Sequence, residues 1–317
     1  MKELKHIRTL IFVVMLMVIM VFWIWYTESA ESDSPMPAIT VAAYTNGNNK
    51  RWRAMEQGIV QACTEVGIQT PDINYIKRSE SEQIDQILQR EVGGGNTHGV
   101  LLASADKVAY DAVMGMNQDT PIILLENSMD GQYTCIAADN YAMGETLAEY
   151  LSEKGGNIAV LQSGLDREYI SERNEGFMRK MDELDTKVIT LWYDPANGDL
   201  KSYLASTIAT YVPKIDALVI LDNDSLEIAI DAIPAAMVDV ELSGIGSSEK
   251  VVHALDKGSV HSIVYQNEYA AGYIATMKLA EQMGIINYYS QEPIQYKLVT
   301  HDNMYLKETE RFIFPIN

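Results

Sequence analysis

Cysteine is scarce in this chain, which carries only Cys63 and Cys135 among its 317 residues. Cys63 falls in the apolar stripe of a predicted helix and Cys135 in a strand-like run, and both settings are typical of buried thiols. A single bridge between them is the alternative. The pattern favours two free thiols, and therefore a fold that depends on its hydrophobic core and not on a disulfide framework.

Positive charge is also in short supply. The chain has 24 Lys plus Arg against 44 Asp plus Glu, a formal net charge of -20. A surface of this sign repels phosphate backbones, so the composition argues against nucleic acid as a partner.

The usual signatures of catalysis are missing. There is no Gly-x-Ser-x-Gly turn, and the five histidines (His6, His98, His253, His261 and His301) show no metal-binding spacing. The glycines at 93–95 follow a predicted helix and precede a strand, the reverse of a phosphate-binding loop. Asp222 and Asp224 suit hydroxyl binding as well as acid–base chemistry. We predict a protein that is not an enzyme and needs no cofactor or metal.

The N-terminus has a different character. Residues 1–8 are basic, 9–26 carry no charge and end in an aromatic cluster, and 27–37 are small, acidic and rich in proline. The uncharged stretch is barely long enough to span a membrane, so a cleaved signal peptide is the competing interpretation. Glu28-Ser29-Ala30 is a poor cleavage site because a carboxylate occupies a position that needs a small residue.

We therefore predict three N-terminal segments: a cytoplasmic basic segment at 1–8, a transmembrane signal anchor at 9–26 and a linker at 27–37. Basic residues before the span place the N-terminus inside and the rest of the chain outside. The expected location is the cell membrane, with one pass and an extracytoplasmic folded part.

From Ala38 onward, apolar strands alternate with amphipathic helices. Trp52, Met55, Ile59 and Cys63 recur at helical spacing. Strand candidates lie at 39–44, 73–77, 99–104, 121–125, 133–137, 157–161, 187–192, 216–221 and 240–246. Strands that are apolar throughout indicate parallel sheets covered by helices on both faces, an α/β fold.

Polar residues cluster directly after several of these strands. The clusters lie at 46–52, 126–127, 139–140, 222–224 and 266–267. Open parallel sheets bind ligands at the carboxyl ends of their strands. The series therefore predicts a binding site formed by these clusters.

Several ordered motifs between residues 38 and 305 carry a family resemblance. They are ITVAAYTNGNNKRWRAMEQGI, IAADNYAMGETLAEYL, ERNEGF at 172–177, LDND at 221–224 and IVYQNEYAAGY at 263–273. The chain resembles the type I periplasmic sugar-binding proteins, the ribose-binding-like group that shares its core with the lac repressor family. The repressor's DNA-binding headpiece has no counterpart, and the predicted membrane segment takes its place.

The resemblance implies two discontinuous Rossmann-like lobes joined by a three-strand hinge. The N-terminal lobe would comprise 38–139 and 267–297, and the C-terminal lobe 140–266 and 298–317. A solute would be held between the lobes by hinge closure.

The resemblance also implies a set of ligand-binding residues: Asn49, Arg51, Trp52, Glu126, Asn127, Asn140, Arg173, Asp222 and Gln266. Trp52 would stack on the apolar face of a sugar, and core packing at the start of a helix is its alternative. Arg173 would offer a planar set of donors, and a helix-surface salt bridge is its alternative. Asp222 replaces the asparagine common at its position.

One departure leaves the ligand's identity open. The family often has Phe-Asp where this chain has Ile245-Gly246, so a carboxylate that would clamp vicinal hydroxyls is missing. The resemblance implies a solute-binding protein for an ABC importer, with a ligand-sensing subunit for a membrane histidine kinase or chemoreceptor as the alternative.

Overall fold

The chain divides after Pro37 into two units, Met1–Pro37 and Ala38–Asn317. The computed structural model describes residues 13–23, 36–45, 49–116, 119–128, 131–163, 167–211, 214–235 and 240–314. The two units are described separately.

In the first unit, residues 13–23 form helix α1, whose apolar side chains are exposed. Among the described residues, no helix has the length and apolar character needed to cross a membrane. The remainder of the predicted anchor at 9–26, the segment 1–8 and most of the linker at 27–37 lie outside the described residues.

The second unit begins with a five-stranded sheet in the order β2-β1-β3-β4-β5. Its strands are β1 (Ile39–Thr45), β2 (Ile73–Lys77), β3 (Gly99–Ala103), β4 (Ile122–Leu125) and β5 (Thr134–Ile136). All four pairings are parallel. The central strands β1, β3 and β4 are buried throughout, as their uninterrupted apolar sequences predict.

Helices cover both faces of this sheet. They are α2 (Arg53–Val66), α3 (Gln83–Glu91), α4 (Lys107–Met114) and, from much later in the chain, α10 (Glu268–Gln282). Met55 and Ile59 of α2 share a core with Val41 on one face, whereas Ile84 of α3 packs with Ala42 on the other. These elements form the N lobe.

A second sheet of six strands follows the order β11-β10-β9-β8-β6-β7. Its strands are β6 (Ile158–Ser163), β7 (Val188–Tyr193), β8 (Ala217–Ile220), β9 (Glu241–Ile245), β10 (Ser262–Gln266) and β11 (Tyr296–Thr300). The sheet is parallel except at its edge, where β10 and β11 run antiparallel. The strand predictions did not include β10 or β11.

Among the described residues, six helices belong to this C lobe. They are α5 (Asn140–Lys154), α6 (Glu168–Glu183), α7 (Leu200–Tyr211), α8 (Asn223–Ala235), α9 (Glu249–Asp256) and α11 (Lys307–Ile313). The predicted two-lobe α/β fold is therefore present. Tyr296 and Lys297, which the resemblance assigns to the first lobe, instead pair with Gln266 and Tyr265 in the second sheet.

Helices α5 and α6 pack at unusually close range. A Cβ atom at Gly144 of α5 would lie only 2.1 Å from the Arg173 carbonyl oxygen, and one at Gly176 of α6 would lie 2.1 Å from the Tyr141 carbonyl oxygen. Only glycine permits this approach of two backbones. The contact fixes the part of α6 that carries Arg173.

The two cysteines are free, as predicted. Cys63 is buried and Cys135 is partly buried. Burial raises the pKa of both thiols, so neither is set up as a thiolate nucleophile.

Candidate ligand-binding site between the two lobes

Side chains that follow strands of both sheets meet between the lobes. Arg51, in a 3-10 turn (Asn49–Trp52) between β1 and α2, approaches Asp224 of the C lobe, with 3.3 Å between Nη1 and Oδ1. Asn127 follows β4, and its Oδ1 accepts a hydrogen bond of 3.0 Å from the Glu168 backbone N–H of the C lobe. We call this region the interlobe cleft.

The strongest contact in the cleft joins Arg51 to Glu126. Nη2 of Arg51 donates to both carboxylate oxygens, at 2.6 and 2.8 Å, and both side chains are buried. Burial by itself lowers the pKa of Arg51, but the negative charges of Glu126 and Asp224 raise it by more. The pKa therefore lies above the usual arginine value, and the guanidinium stays charged. Glu126 has a φ of +70°, a left-handed conformation uncommon for non-glycine residues and often found at functional sites.

Trp52 does not offer a stacking face to a ligand. The side chain is 0% exposed, and its Nε1 donates to the Tyr44 carbonyl oxygen at 3.2 Å. The Arg51 guanidinium lies over the indole ring, 4.1 Å from its centroid. The stacking prediction is therefore corrected. Trp52 belongs to the core of the N lobe, because the turn that presents Arg51 to the cleft directs the next side chain inward.

Arg173 links two of the predicted residues. Its Nε donates to Asn140 Oδ1 at 2.9 Å, its Nη2 to Gln266 Oε1 at 3.2 Å and its Nη1 to the Leu221 carbonyl oxygen at 3.2 Å. The side chain is buried, which excludes a helix-surface salt bridge. Burial is the main cause of a lowered Arg173 pKa. Asn140 and Gln266 lie where the chain crosses between the lobes, so this network sits at the hinge.

The other predicted residues have protein partners or lie outward. Nδ2 of Asn127 donates to the Ala105 carbonyl oxygen at 2.8 Å. Asp222 accepts a 2.9 Å hydrogen bond from the Ser225 backbone N–H at the start of α8. Asn49 is exposed at the start of its turn. Direct contact of these three side chains with a ligand stays a prediction.

Two further arginines of the cleft lie outside the predicted set of ligand-binding residues. Arg78 directly follows β2 and donates to Ser104, to its carbonyl oxygen at 3.2 Å and to its Oγ at 2.7 Å. Arg167 precedes α6, donates to the Tyr169 hydroxyl at 3.1 Å and lies 3.8 Å from Asp224. The strand-end rule that singled out the other clusters also applies to Arg78.

A buried acid completes the site. Glu268 follows β10, accepts from Ser247 Oγ at 2.8 Å and lies 3.3 Å from Gln266 Nε2. Burial raises its pKa to about 7, with a further contribution from Glu126. Within the described part of the chain, no group of acidic, His or Cys side chains is arranged to hold a metal ion.

A comparison with protein families identifies the fold. The model of the periplasmic binding protein domain matches residues 39–284. This chain belongs to the periplasmic binding protein family. Members of this family are binding proteins and not enzymes, which confirms the prediction that the protein has no catalytic role. No curated protein sequence matches the chain.

Several solved structures share the fold at low sequence identity. A carbohydrate transporter solute-binding protein from Agrobacterium radiobacter, in complex with D-arabinose, is 17% identical with a TM-score of 0.72, covering 89% of this chain and 100% of that chain. An ABC transporter solute-binding protein from Agrobacterium vitis with bound D-fucose is 17% identical with a TM-score of 0.72, covering 87% and 99%. A XylFII–LytSN complex is 14% identical with a TM-score of 0.67, covering 85% and 99%.

Proposed function

We propose that this periplasmic binding protein captures a sugar-like solute in the interlobe cleft. The observation that carries the proposal is the convergence of buried polar side chains from both lobes and from the crossings between them. Arg51 and Glu126 come from the N lobe, Arg173 from the C lobe, and Asn140 and Gln266 from the hinge. The hydrophobic core of a folded domain contains few polar side chains. A binding site for a polar ligand therefore accounts best for so many buried polar groups in one place.

The chemistry of these groups suits hydroxyl groups. Guanidinium groups supply fixed donors, whereas carboxylate and amide oxygens accept from hydroxyls. A sugar presents both functions on each hydroxyl. The structures from Agrobacterium radiobacter and Agrobacterium vitis were solved with D-arabinose and D-fucose, which supports this ligand class.

Binding would favour the closed arrangement of the lobes. A ligand shifts a hinge equilibrium only by contacting both lobes at once. Arg51 already contacts Asp224 across the cleft, and Arg173 contacts Gln266 at the hinge. A solute bound among them would gain contacts only when the lobes are together.

We further propose that the folded unit lies outside the cytoplasm, tethered by the segment at 9–26, and delivers its solute to an ABC importer. Two similar structures are those of a carbohydrate transporter solute-binding protein and an ABC transporter solute-binding protein, which supports delivery to an importer. The alternative is a sensor subunit acting on a membrane histidine kinase or chemoreceptor. In one similar structure, XylFII is in complex with a second protein, LytSN. A partner protein bound to this fold supports the alternative.

Calorimetric titration of the full chain with pentoses, hexoses and polyols tests ligand capture. We expect one sugar to bind, and Arg173→Ala to weaken it by about 2 kcal/mol or more, because a buried network loses its central donor. Arg179→Ala removes an exposed arginine from the same helix and should leave binding unchanged. Equal loss of affinity in both variants, or no binding by any solute of these classes, would contradict the proposal.

Crosslinking in membranes separates the two candidate partners. With the sugar present, capture of an importer permease supports transport, and capture of a histidine kinase or chemoreceptor supports sensing. Capture of neither would rule out both partners while leaving ligand binding itself intact.

A further inference from the structure

A cavity of about 480 Å³ lies between the lobes and shares Arg51 with the interlobe cleft. Its N-lobe side comes from the turn before α2 and the start of α2, and its C-lobe side from the segment after β9, from α9 and from the end of α11. Arg53 and Glu249 also line it, but they pair with each other at 2.6 Å and are more than half exposed, so they form its rim. A volume of this size suits a small solute, and a solute held there would contact both lobes.

The C-lobe wall presents a hydroxyl with a fixed orientation. Ser247 lines the cavity, and its Oγ donates to Glu268 Oε1 at 2.8 Å. Glu268 is 5% exposed, and its Oε2 accepts from Gln266 Nε2 at 3.3 Å, so both carboxylate oxygens are held. A serine hydroxyl has one proton to donate and lone pairs that accept. Because the proton of Ser247 is directed to Glu268, its oxygen can only accept from a solute, and it selects a group that donates.

Glu268 acts on the cavity through Ser247. Among the described residues, no Lys, Arg or His nitrogen lies within 4.0 Å of the Glu268 carboxylate, so its direct partners are neutral. Arg51 and Arg173 attract this carboxylate and Glu126 repels it, all from longer distances. The orientation of the Ser247 hydroxyl therefore depends on the hydrogen bond to Glu268.

Another part of the C-lobe wall is apolar. Tyr265 and Met304 are buried, and Phe314 at the end of α11 is 41% exposed. A sugar ring presents C–H groups as well as hydroxyls, and aromatic and aliphatic side chains cover its C–H face. Trp52 is turned into the core, so this wall supplies the apolar surface that Trp52 does not.

We propose that the solute lies in this cavity, with one hydroxyl donating to Ser247 Oγ and a C–H face of its ring against Met304 and Phe314. Glu268 is a positioning residue that fixes the Ser247 hydroxyl, and Arg51 contacts the solute from the N lobe. This inference rests on the proposed capture of a sugar-like solute and places that solute on the β9 side of the interlobe cleft. The end of α11 is then part of the binding site.

Calorimetric titration of the full chain tests this placement. The probes are D-galactose, D-glucose, D-arabinose and D-fucose, each with its monodeoxy derivatives, at pH 8, above the Glu268 pKa of about 7. Ser247→Ala should weaken the binding of a parent sugar by about fivefold or more. The derivative that lacks the contacted hydroxyl should lose no further affinity, because two changes to one contact are not additive. The same loss for every derivative would give Ser247 a structural role and overturn the inference, while sugar capture would stand.

Two further variants address the apolar wall and the orientation of Ser247. Phe314→Ala should weaken the parent sugars by about fivefold. Leu306→Ala, at an exposed position before α11 and outside the cavity, should leave their affinity unchanged. Glu268→Gln offers an amide that can itself donate to Ser247, so the hydroxyl loses its fixed direction, and we expect reduced discrimination between a parent sugar and the same monodeoxy derivative.

Circular dichroism establishes that each variant is folded, and Phe314→Ala decides the matter if Ser247→Ala is not. Wild-type affinity in Phe314→Ala would overturn the inference, because the solute would then lie elsewhere in the cleft. Binding of none of the probes would overturn it as well.

Discussion

Glu268 lies at the point where the chain leaves β10 for the N lobe. Its carboxyl is surrounded by Ser247 and Gln266, and Glu126 adds a second negative charge nearby. Burial is the largest cause of its raised pKa, and the positive charges of Arg51 and Arg173 compensate only in part. Such an acid favours its neutral form in the folded state.

The pH dependence of stability should reveal this group. The pKa of Glu268 rises from 4.5 to about 7 on folding, so between these values the folded state binds more protons than the unfolded state. Stability is therefore lost as the pH rises from 4.5 through 7, by at most about 3 kcal/mol. Glu268→Gln removes the proton exchange, and we expect its free energy of unfolding, measured with urea from pH 4.5 to 8, to fall less steeply than that of the wild type. Glu308→Gln, at an exposed position on α11, serves as the control. Parallel curves for wild type and Glu268→Gln would show that the acid is not responsible.

At the scale of the element, the α5–α6 pair holds the hinge network in place. Arg173 projects from α6 toward Asn140, the first residue of α5, and the glycines at 144 and 176 let the two helices approach closely enough for that contact. Packing of backbone against backbone leaves no space into which an added methyl group can move.

Gly144→Ala tests this packing. The new Cβ would lie 2.1 Å from the Arg173 carbonyl oxygen and 2.8 Å from the Phe177 backbone nitrogen, so the helices must separate. We expect a loss of about 1–3 kcal/mol or more in the free energy of unfolding, typical of overpacking, together with weaker ligand binding because Arg173 moves. Gly115→Ala, at the end of α4, places its Cβ no closer than 3.4 Å to a neighbour and should change neither quantity. Urea unfolding of the two variants gives the comparison, and similar losses in both would count against the close contact.

Sequence patterns predict most strands of this fold, but they miss the strand at the antiparallel edge of the second sheet. The strands of the first sheet and β6 to β9 appear close to their predicted positions, because each is an apolar run with few alternatives. The edge strand β11 is mostly half-buried and includes a lysine, so its sequence gives little sign of a strand. A prediction of parallel sheets cannot anticipate its antiparallel pairing, which depends on the chain returning from the N lobe.

The site is predicted unevenly for a related reason. Family motifs point to Arg51, Asn140, Arg173 and Gln266, and the structure places the last three in one network, while their contact with a ligand stays a prediction. Trp52 was misassigned because sequence spacing does not reveal which of two adjacent side chains faces the cleft.

The departure at Gly246 has a structural reason that no motif displays. A Cβ there would lie 3.0 Å from Asn223 Oδ1, the atom that accepts from the backbone N–H groups of Ser247 and Ser248. Any side chain at this position would therefore crowd the amide that orders the next turn.

For the Ala38–Asn317 unit as a whole, the contacts between the lobes differ greatly in burial. Asp224 lies between Arg51 and Arg167 in the buried part of the cleft. Arg53 and Glu249 also join the lobes, at 2.6 Å, but both side chains are more than half exposed. Exposed pairs contribute little because water and salt screen them, whereas a buried pair that loses one partner leaves an uncompensated charge.

Asp224→Asn should therefore open the molecule. The substitution leaves Arg51 and Arg167, from opposite lobes, without the carboxylate between them, so the closed arrangement loses an attraction and gains a repulsion. We expect a larger radius of gyration in small-angle X-ray scattering of the full chain without ligand, and a dissociation constant raised about tenfold or more. Glu249→Gln makes the same chemical change in the exposed pair, and should leave the scattering profile and the affinity within about 0.5 kcal/mol of wild type. If both variants scatter like the wild type, the Asp224 carboxylate between the lobes does not set their equilibrium, and closure depends instead on the hinge network of Arg173 with Asn140 and Gln266.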